Sequence, residues 1–299
     1  MKLWSVSVDL DGLGCYAAIH GVQAPLSDAA LRAVPEVALS RLLECFGGVR
    51  GTLFVIGREA QYGAPTLRAA AEAGHEIGSH SHAHDYALSR QSALAAAEDL
   101  RLAEEAIVAA CGVRPRGFRA PGYTISKNLL QAVRERGYTY DSSLLPSPPY
   151  YALKALALGW YAIRRRKSES ILGAPAQLFA RRAPHWRERV RELPVATLPA
   201  TRVPVIGTSV LGVGDALAAR LSRGGFAGSP VAHFNLELHG IDALDQTDVP
   251  PDIARAQPGL KTPAREKLRR LRALLDMLAA RAEACTLEDA ALRLLPDAL

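Results

Sequence analysis

The sequence predicts an α/β protein built on a distorted (β/α) barrel of seven or eight parallel strands, carrying a basic, partly helical insertion. Three observations predict it. Short strand patterns alternate with helical patterns along most of the chain, and that alternation implies a parallel sheet with helical crossovers. The 299 residues suit one large α/β domain, since barrels of roughly 200–250 residues are commonly single domains. Acids, bases and imidazoles recur at or just beyond predicted strand ends, the rim where (β/α) barrels carry their chemistry.

The elements follow in order. Residues 3–8 alternate like a strand and run straight into Asp9 and Asp11. Residues 51–56 read as a buried strand, 65–73 as a helix stopped by Gly74, and 75–79 as the next strand. Ser89 is the expected cap of a long Ala/Leu/Glu-rich helix ending at Gly112. Residues 117–119 form a strand, 126–136 a helix with Gly137 as its stop, and 138–140 a further strand. Beyond the insertion, 192–195 and 231–238 read as strands, 263–281 as a helix, and a last helix starts at Leu287. The domain reading is a single unit over 1–299, interrupted at about 146–192.

Composition narrows the function classes. Hydrophobic residues make up 49% of the chain and charged residues 22%, which supports a sizeable core rather than disorder. No apolar stretch reaches the ~20 residues of a spanning helix. A leader cleaved within the first strand would remove the candidate ligands, so a cytoplasmic location is expected. Cys15, Cys45, Cys111 and Cys285 form no Cys-x-x-Cys pair and read as thiols in a reducing compartment.

Charge is concentrated in one segment. Residues 146–192 hold ten Lys/Arg against three acids, a net +7, while the whole chain is +6. No recognition motif accompanies the patch, which argues against nucleic acid as a partner. The segment opens with the aromatic, apolar run 148–163 and continues into Arg164-Arg165-Arg166-Lys167. Such a pattern suits an interfacial membrane anchor, or a helical lid with a solvated basic end. The sequence leaves both open.

The chemistry concentrates in Gly-Ser-His80-Ser-His82-Ala-His84-Asp and the upstream Val-Asp9-Leu-Asp11-Gly. Two imidazoles four residues apart, with a carboxylate from a strand end, make a three-ligand divalent site with a coordination position left for water. A helical turn at 80–84 would direct His82 away from the metal, whereas an extended segment would align all three imidazoles; the helical turn is the expectation. Asp9 alternates with Asp11, and Glu237 alternates with His239. Arg119, Asp141 and His239 stand at the ends of three further predicted strands. As isolated residues each has a plainer reading: His80 and His84 as surface histidines, Asp141-Ser142-Ser143 as a turn, His239 as a core histidine. His20, His75, His185 and His233 have only that plainer reading.

These motifs resemble those of the polysaccharide deacetylases of the NodB-homology type (carbohydrate esterase family four). The resemblance covers roughly residues 2–146 and 193–292 and is closest to the branch with Asp-x-Asp in its first motif, which includes lipid-linked amino-sugar deacylases. The usual Thr-Phe-Asp-Asp-Gly stands here as Ser7-Val8-Asp9-Leu10-Asp11-Gly12, and His-Ser/Thr-x-x-His is intact as residues 80–84. Arg-x-Pro-Tyr-Gly becomes Arg119-Ala120-Pro121-Gly122-Tyr123, with the last two residues exchanged. The fourth motif is Asp141-Ser142-Ser143 without the tryptophan often found after it, and the fifth is Glu237-Leu238-His239.

The resemblance implies a divalent ion, Zn²⁺ foremost with Co²⁺, Ni²⁺ or Mn²⁺ as alternatives, held by Asp11, His80 and His84. It implies Asp9 as general base, Arg119 holding Asp9 ionised, His239 as general acid with Asp141 raising its pKa, and an oxyanion site near Gly122. Tyr123 and Glu237 are expected beside the substrate. The expected activity is hydrolysis of an acetyl or formyl group from an N-acylated amino sugar, carried free or on a polyprenyl phosphate at the cytoplasmic membrane face. A soluble saccharide ester or cyclic amide is the alternative substrate. A non-catalytic sugar- or lipid-binding protein is the alternative class, against which Asp9 and His239 speak, because binding needs neither base nor acid.

Overall fold

The computed structural model describes residues 2–297 apart from 23–24, 166–167, 213–214, 216–219, 221–222, 225 and 227–231. Its centre is one curled sheet of nine strands. These are β1 (Leu3–Asp9), β2 (Thr52–Val55), β3 (Glu76–Ser79), β4 (Gly117–Phe118), β5 (Tyr140–Asp141), β6 (His185–Arg187), β7 (Val190–Glu192), β8 (His233–His239) and β9 (Glu283–Ala284). They lie in the order β6-β7-β5-β4-β3-β2-β1-β8, with β9 beside the first residues of β1. Every pairing is parallel except β6–β7. Residues 193–196 step across from β5 to β8: Leu193 N–H donates to Asp141 O at 2.9 Å, and Ala196 N–H to Asn235 O at 3.0 Å. The result is a half-barrel with helices outside, as the alternating pattern predicts.

Strand alternation sorts the residues of β1 by face. Trp4, Val6 and Val8 point outward into the main core with Leu236, Leu238, Leu53 and the helices Leu39–Phe46 and Ala264–Ala279. Leu3, Ser5, Ser7 and Asp9 point into the barrel. Leu3, Phe54, Tyr140 and Leu193 close its lower end against the Leu287–Leu294 helix. Burying each large apolar side chain contributes about 1.5–3 kcal/mol.

Several boundaries differ from the sequence reading. Ser89 does not cap the long helix. Asp85 accepts from Ala87 N–H and opens a 3₁₀ turn through Arg90, so capping passes to Ser92, whose Oγ accepts from Ala95 N–H. The strand expected at 138–140 is shifted to Tyr140–Asp141, because Tyr138 N–H still closes the preceding helix onto Val133 O. The strand expected at 192–195 is β7, Val190–Glu192, inside the expected insertion limits. Val231, in the expected strand 231–238, lies outside the described residues.

Unexpected helices cover Leu13–His20 and residues 28–46, the latter as Asp28–Arg32, a π-helical Ala33–Ala38 around Pro35, and Leu39–Phe46. Proline has no N–H to continue the α ladder, which accounts for the irregularity there. Residues 146–192 supply the Pro148–Ile163 helix and the β6–β7 ribbon; Arg166 and Lys167 lie outside the described residues. Among the described residues, no helix is long and apolar enough to cross a membrane.

Candidate active site

Asp9 ends β1 and Asp11 follows two residues later, while β3 delivers His80 and the loop after it delivers His84. Asp11 Oδ1 stands 3.3 Å from His80 Nε2 and 3.3 Å from His84 Nε2, and all three side chains are buried. Two ligands bound at zinc distances in a tetrahedral arrangement stand about 3.3–3.5 Å apart. His80 Nδ1 lies 2.8 Å from Arg119 O, and a carbonyl only accepts, so Nδ1 carries the proton. In the neutral ring that leaves the Nε2 lone pair facing a carboxylate. Asp11 Oδ1 and His84 Nε2 have no hydrogen-bond partner despite burial. Burial alone would raise the Asp11 carboxyl, but His84 and His80 outweigh it and hold it well below the ordinary range. Burial likewise opposes charge on His80, and Asp9 and Asp11 outweigh it and raise that pKa. An anionic oxygen and two imidazole nitrogens converging without other partners are the donor set for a divalent cation.

The helical turn expected at 80–84 does not form. Ser81 and His84 adopt positive φ, 65° and 53°, and fold the segment into a tight loop. Asp99 fixes it by accepting from His82 N–H at 2.8 Å and Ala83 N–H at 3.1 Å, and Ser81 Oγ accepts from His84 N–H at 3.0 Å. The two left-handed residues turn His80 and His84 onto one point. His82 faces Gly57 and Ala106 on the far side, outside the ligand set.

Arg119 is wholly buried and makes four guanidinium hydrogen bonds. Its Nη1 donates to Asp9 Oδ1 at 2.6 Å, Nε to Ser142 O at 2.9 Å, and Nη2 to Ser7 Oγ at 2.9 Å and Ser142 Oγ at 3.0 Å. The Phe54 ring lies beneath it, 4.2 Å from Cζ to the ring centroid. Asn235 completes the network, donating to Ser142 Oγ at 3.1 Å and accepting from Ser7 Oγ at 2.9 Å. Ser7, Ser142, Asn235 and Phe54 were missed by sequence reasoning. Their signal was present: Ser7 alternates with Asp9, and Asn235 with Glu237 and His239, on otherwise apolar strands.

β8 runs beside β1 with His239 level with Asp9, and the ligand atoms of Asp9, Glu237 and His239 lie within 4.8 Å of one another. His239 Nδ1 stands 3.0 Å from Glu237 Oε1, and its side chain keeps 21% exposure toward the cavity. Burial opposes its charge, but Glu237, Asp11, Asp9 and Asp242 outweigh that and raise its pKa to about 9. Asp141 is not the partner expected for it. The Asp141 carboxylate accepts from Ser143 Oγ and packs against Glu192, and burial raises both carboxyls. The alternation of β5 turns Asp141 into the β5–β7 seam, whereas Glu237 shares a strand and a face with His239. Glu237 is itself wholly buried, so it braces His239 rather than lining the substrate space as expected.

A cavity of about 390 Å³ opens beside His239, lined by Tyr16, Tyr123, Tyr150, Leu153 and Ile206 among others. Tyr123, expected beside the substrate, forms part of this wall. Gly122 adopts φ 59°, and a Cβ there would lie 2.7 Å from the Tyr86 ring, so the exchanged Gly-Tyr order meets a steric need. Its carbonyl faces Lys154 Nζ at 3.5 Å. Of the remaining histidines, His233 bonds Ser5 Oγ, His75 accepts from Gly51 N–H, and His185 holds Ala183 O. His20 bridges Tyr161 and Gln257.

Residues 41–140 match the family model for polysaccharide deacetylase, a stretch that contains His80, His84 and Arg119. The chain is 26% identical over 154 residues to a peptidoglycan deacetylase of Helicobacter pylori, covering 50% of this chain. It spans about half the length of that relative, 52%. Among solved structures, a Mycobacterium smegmatis protein assigned to the polysaccharide deacetylases aligns over 97% of this chain and 89% of its own, with TM-score 0.65 and 18% identity. A family 4 acetyl xylan esterase from Clostridium thermocellum, solved with cobalt, aligns over 98% and 91% at TM-score 0.50 and 15% identity. A carbohydrate esterase family 4 pseudoenzyme from Bacillus anthracis aligns over 96% and 64% at TM-score 0.51 and 10% identity. At such identities the structural likeness carries the fold alone.

Proposed function

We propose that this protein is a metal-dependent hydrolase of the polysaccharide deacetylase kind, near the Asp-x-Asp branch, that removes an acetyl or formyl group from the nitrogen of an amino sugar. The family match and the peptidoglycan deacetylase relative support the reaction class. One observation carries the reading for this chain: Asp11, His80 and His84 converge on one point, with Asp9 and His239 level with each other on adjacent strands beside it.

Asp11, His80 and His84 hold the divalent ion, zinc foremost. When bound, that ion lowers the pKa of its water and polarises the acyl carbonyl. Asp9 takes a proton from the attacking water, and Arg119 fixes the carboxylate through Oδ1 so that Oδ2 faces the reaction. His239 delivers a proton to the departing nitrogen, and Glu237 holds the imidazole protonated and oriented. Water adds across the C–N bond, giving a carboxylic acid and an amine. Tyr123 and the cavity beside His239 receive the sugar and what it carries. The substrate form we favour is linked to a polyprenyl phosphate at the cytoplasmic membrane face. Four free cysteines, three of them buried, fit that compartment.

The test is release of acetate or formate from N-acyl amino sugars by protein loaded with zinc, cobalt, nickel or manganese. Release that a chelator and Asp9→Asn both stop is the expected result. A loaded protein that cleaves only saccharide esters supports the ester reading. A loaded protein that releases nothing from amide or ester overturns catalysis and leaves a binding protein.

A further inference from the structure

The Pro148–Ile163 helix lies on the surface with one face against the body of the protein. Among its residues only Tyr151 is buried, although the helix contains no acid and a single lysine. At 100° per residue its side chains divide into two faces. Tyr150, Tyr151, Lys154, Leu158 and Tyr161 share the inner face. Tyr150 packs on Tyr123 at 5.7 Å between ring centroids, Lys154 lies over the Tyr86 and Tyr150 rings, and Tyr161 meets His20 Nδ1 at 3.0 Å. Leu153, Leu156, Trp160 and Ile163 share the outer face, with exposures of 69, 71, 53 and 80%. A stripe of four large apolar side chains facing water is a feature soluble surfaces avoid unless something covers it.

We propose that this outer face docks on an anionic lipid bilayer and presents the cavity beside His239 to the membrane surface. Charge complementarity selects the occupant. The helix ends in exposed Arg164 and Arg165, and Arg164 Cζ sits 4.1 Å over the Trp160 ring, placing a cation where an amphipathic indole enters the headgroup layer. Residues 146–192 carry the chain's positive excess, and each juxtamembrane Lys or Arg adds attraction to anionic headgroups. Leu153 belongs both to the outer stripe and to the cavity wall that includes His239. The helix therefore joins the bilayer to the site, and an amphiphilic sugar reaches His239 without leaving the surface. The route to the site rests on the hydrolase reading above; the docking does not.

The experiment is co-flotation with vesicles of phosphatidylcholine mixed with phosphatidylglycerol, beside vesicles of phosphatidylcholine alone. The full chain is compared with a Leu156→Glu, Trp160→Glu, Ile163→Glu triple variant and with Arg164→Glu, Arg165→Glu. The expected result is binding to the anionic vesicles that salt weakens and that the triple variant weakens about tenfold or more. The arginine variant loses the preference for anionic lipid. Circular dichroism and acyl release from a soluble N-acyl sugar accompany each variant, and both are expected to match the parent, since none of these residues lines the site. No binding by the full chain, or binding the triple variant leaves unchanged, overturns the proposal. A dimer in lipid-free solution that the triple variant abolishes overturns it in favour of a second copy on this face. Vesicle binding needs no turnover, so failure of the hydrolase reading leaves its own mark: bound protein that releases no acyl group.

Discussion

The residue that joins the two halves of the site is Arg119. Its guanidinium makes four hydrogen bonds, to Asp9, Ser7 and Ser142, above the Phe54 ring, and its carbonyl fixes the tautomer of His80. One side chain thus orients the proposed base, Asp9, and one backbone atom orients a proposed metal ligand, His80. Asp9→Asn is expected to lower kcat about a hundredfold or more, the usual contribution of a general base, while zinc content by mass spectrometry stays at the parent level. Glu237→Gln removes the nearest negative charge from His239. A carboxylate raises the pKa of an imidazolium, so its loss lowers the pH above which His239 is deprotonated. The alkaline limb of the pH–rate profile is expected to move to lower pH, and an unmoved limb would show that Glu237 does not set this proton.

At the level of elements, the loop after β3 brings His80 and His84 together as the proposed ligand pair. Asp99, from the Ala93–Cys111 helix, holds it by accepting from two backbone N–H groups. Asp99→Ala is expected to weaken zinc binding by roughly 10–100-fold, measured by competition titration, because supporting partners of ligands commonly contribute that much. The 120–124 turn is constrained differently. Gly122→Ala places a methyl against the Tyr86 ring at a left-handed backbone position, and is expected to lower stability by about 1–2 kcal/mol from the backbone alone in chemical denaturation. Tyr86 also packs edge-on against His84 at 5.0 Å, so the same change is expected to raise KM by shifting the wall beside that ligand.

At the level of the whole molecule, the site is where distant parts of the chain meet. Arg119 and Asp9 are 110 residues apart, and Ser7 and Asn235 are 228 apart. A ligand held across such contacts stabilises the fold as a unit. Zinc at about 100 times its Kd is expected to add about 2.7 kcal/mol, a rise in Tm of roughly 5 °C or more for a chain of this size. Scanning calorimetry with zinc and with chelator checks it, and Asp11→Ala is expected to show no difference between the two.

The strands, the longer helices, the candidate Asp-x-Asp and His-x-x-x-His cluster and the basic character of 146–192 were legible because they rest on local signals: periodicity, spacing and composition. The tertiary structure decided what those signals do not encode. Ser81 and His84 turn left-handed because Asp99, from another helix, holds the loop. Asp141 turns to Glu192 and Glu237 turns to His239 because register between strands sets which side chains share a face. The outer stripe of the Pro148–Ile163 helix was visible as apolar sequence, but only packing showed that the tyrosines face inward and Leu153, Leu156, Trp160 and Ile163 face water. Short-range chemistry is written in adjacent residues, whereas a partner chosen across a hundred positions is fixed only when the sheet curls and brings the two ends together.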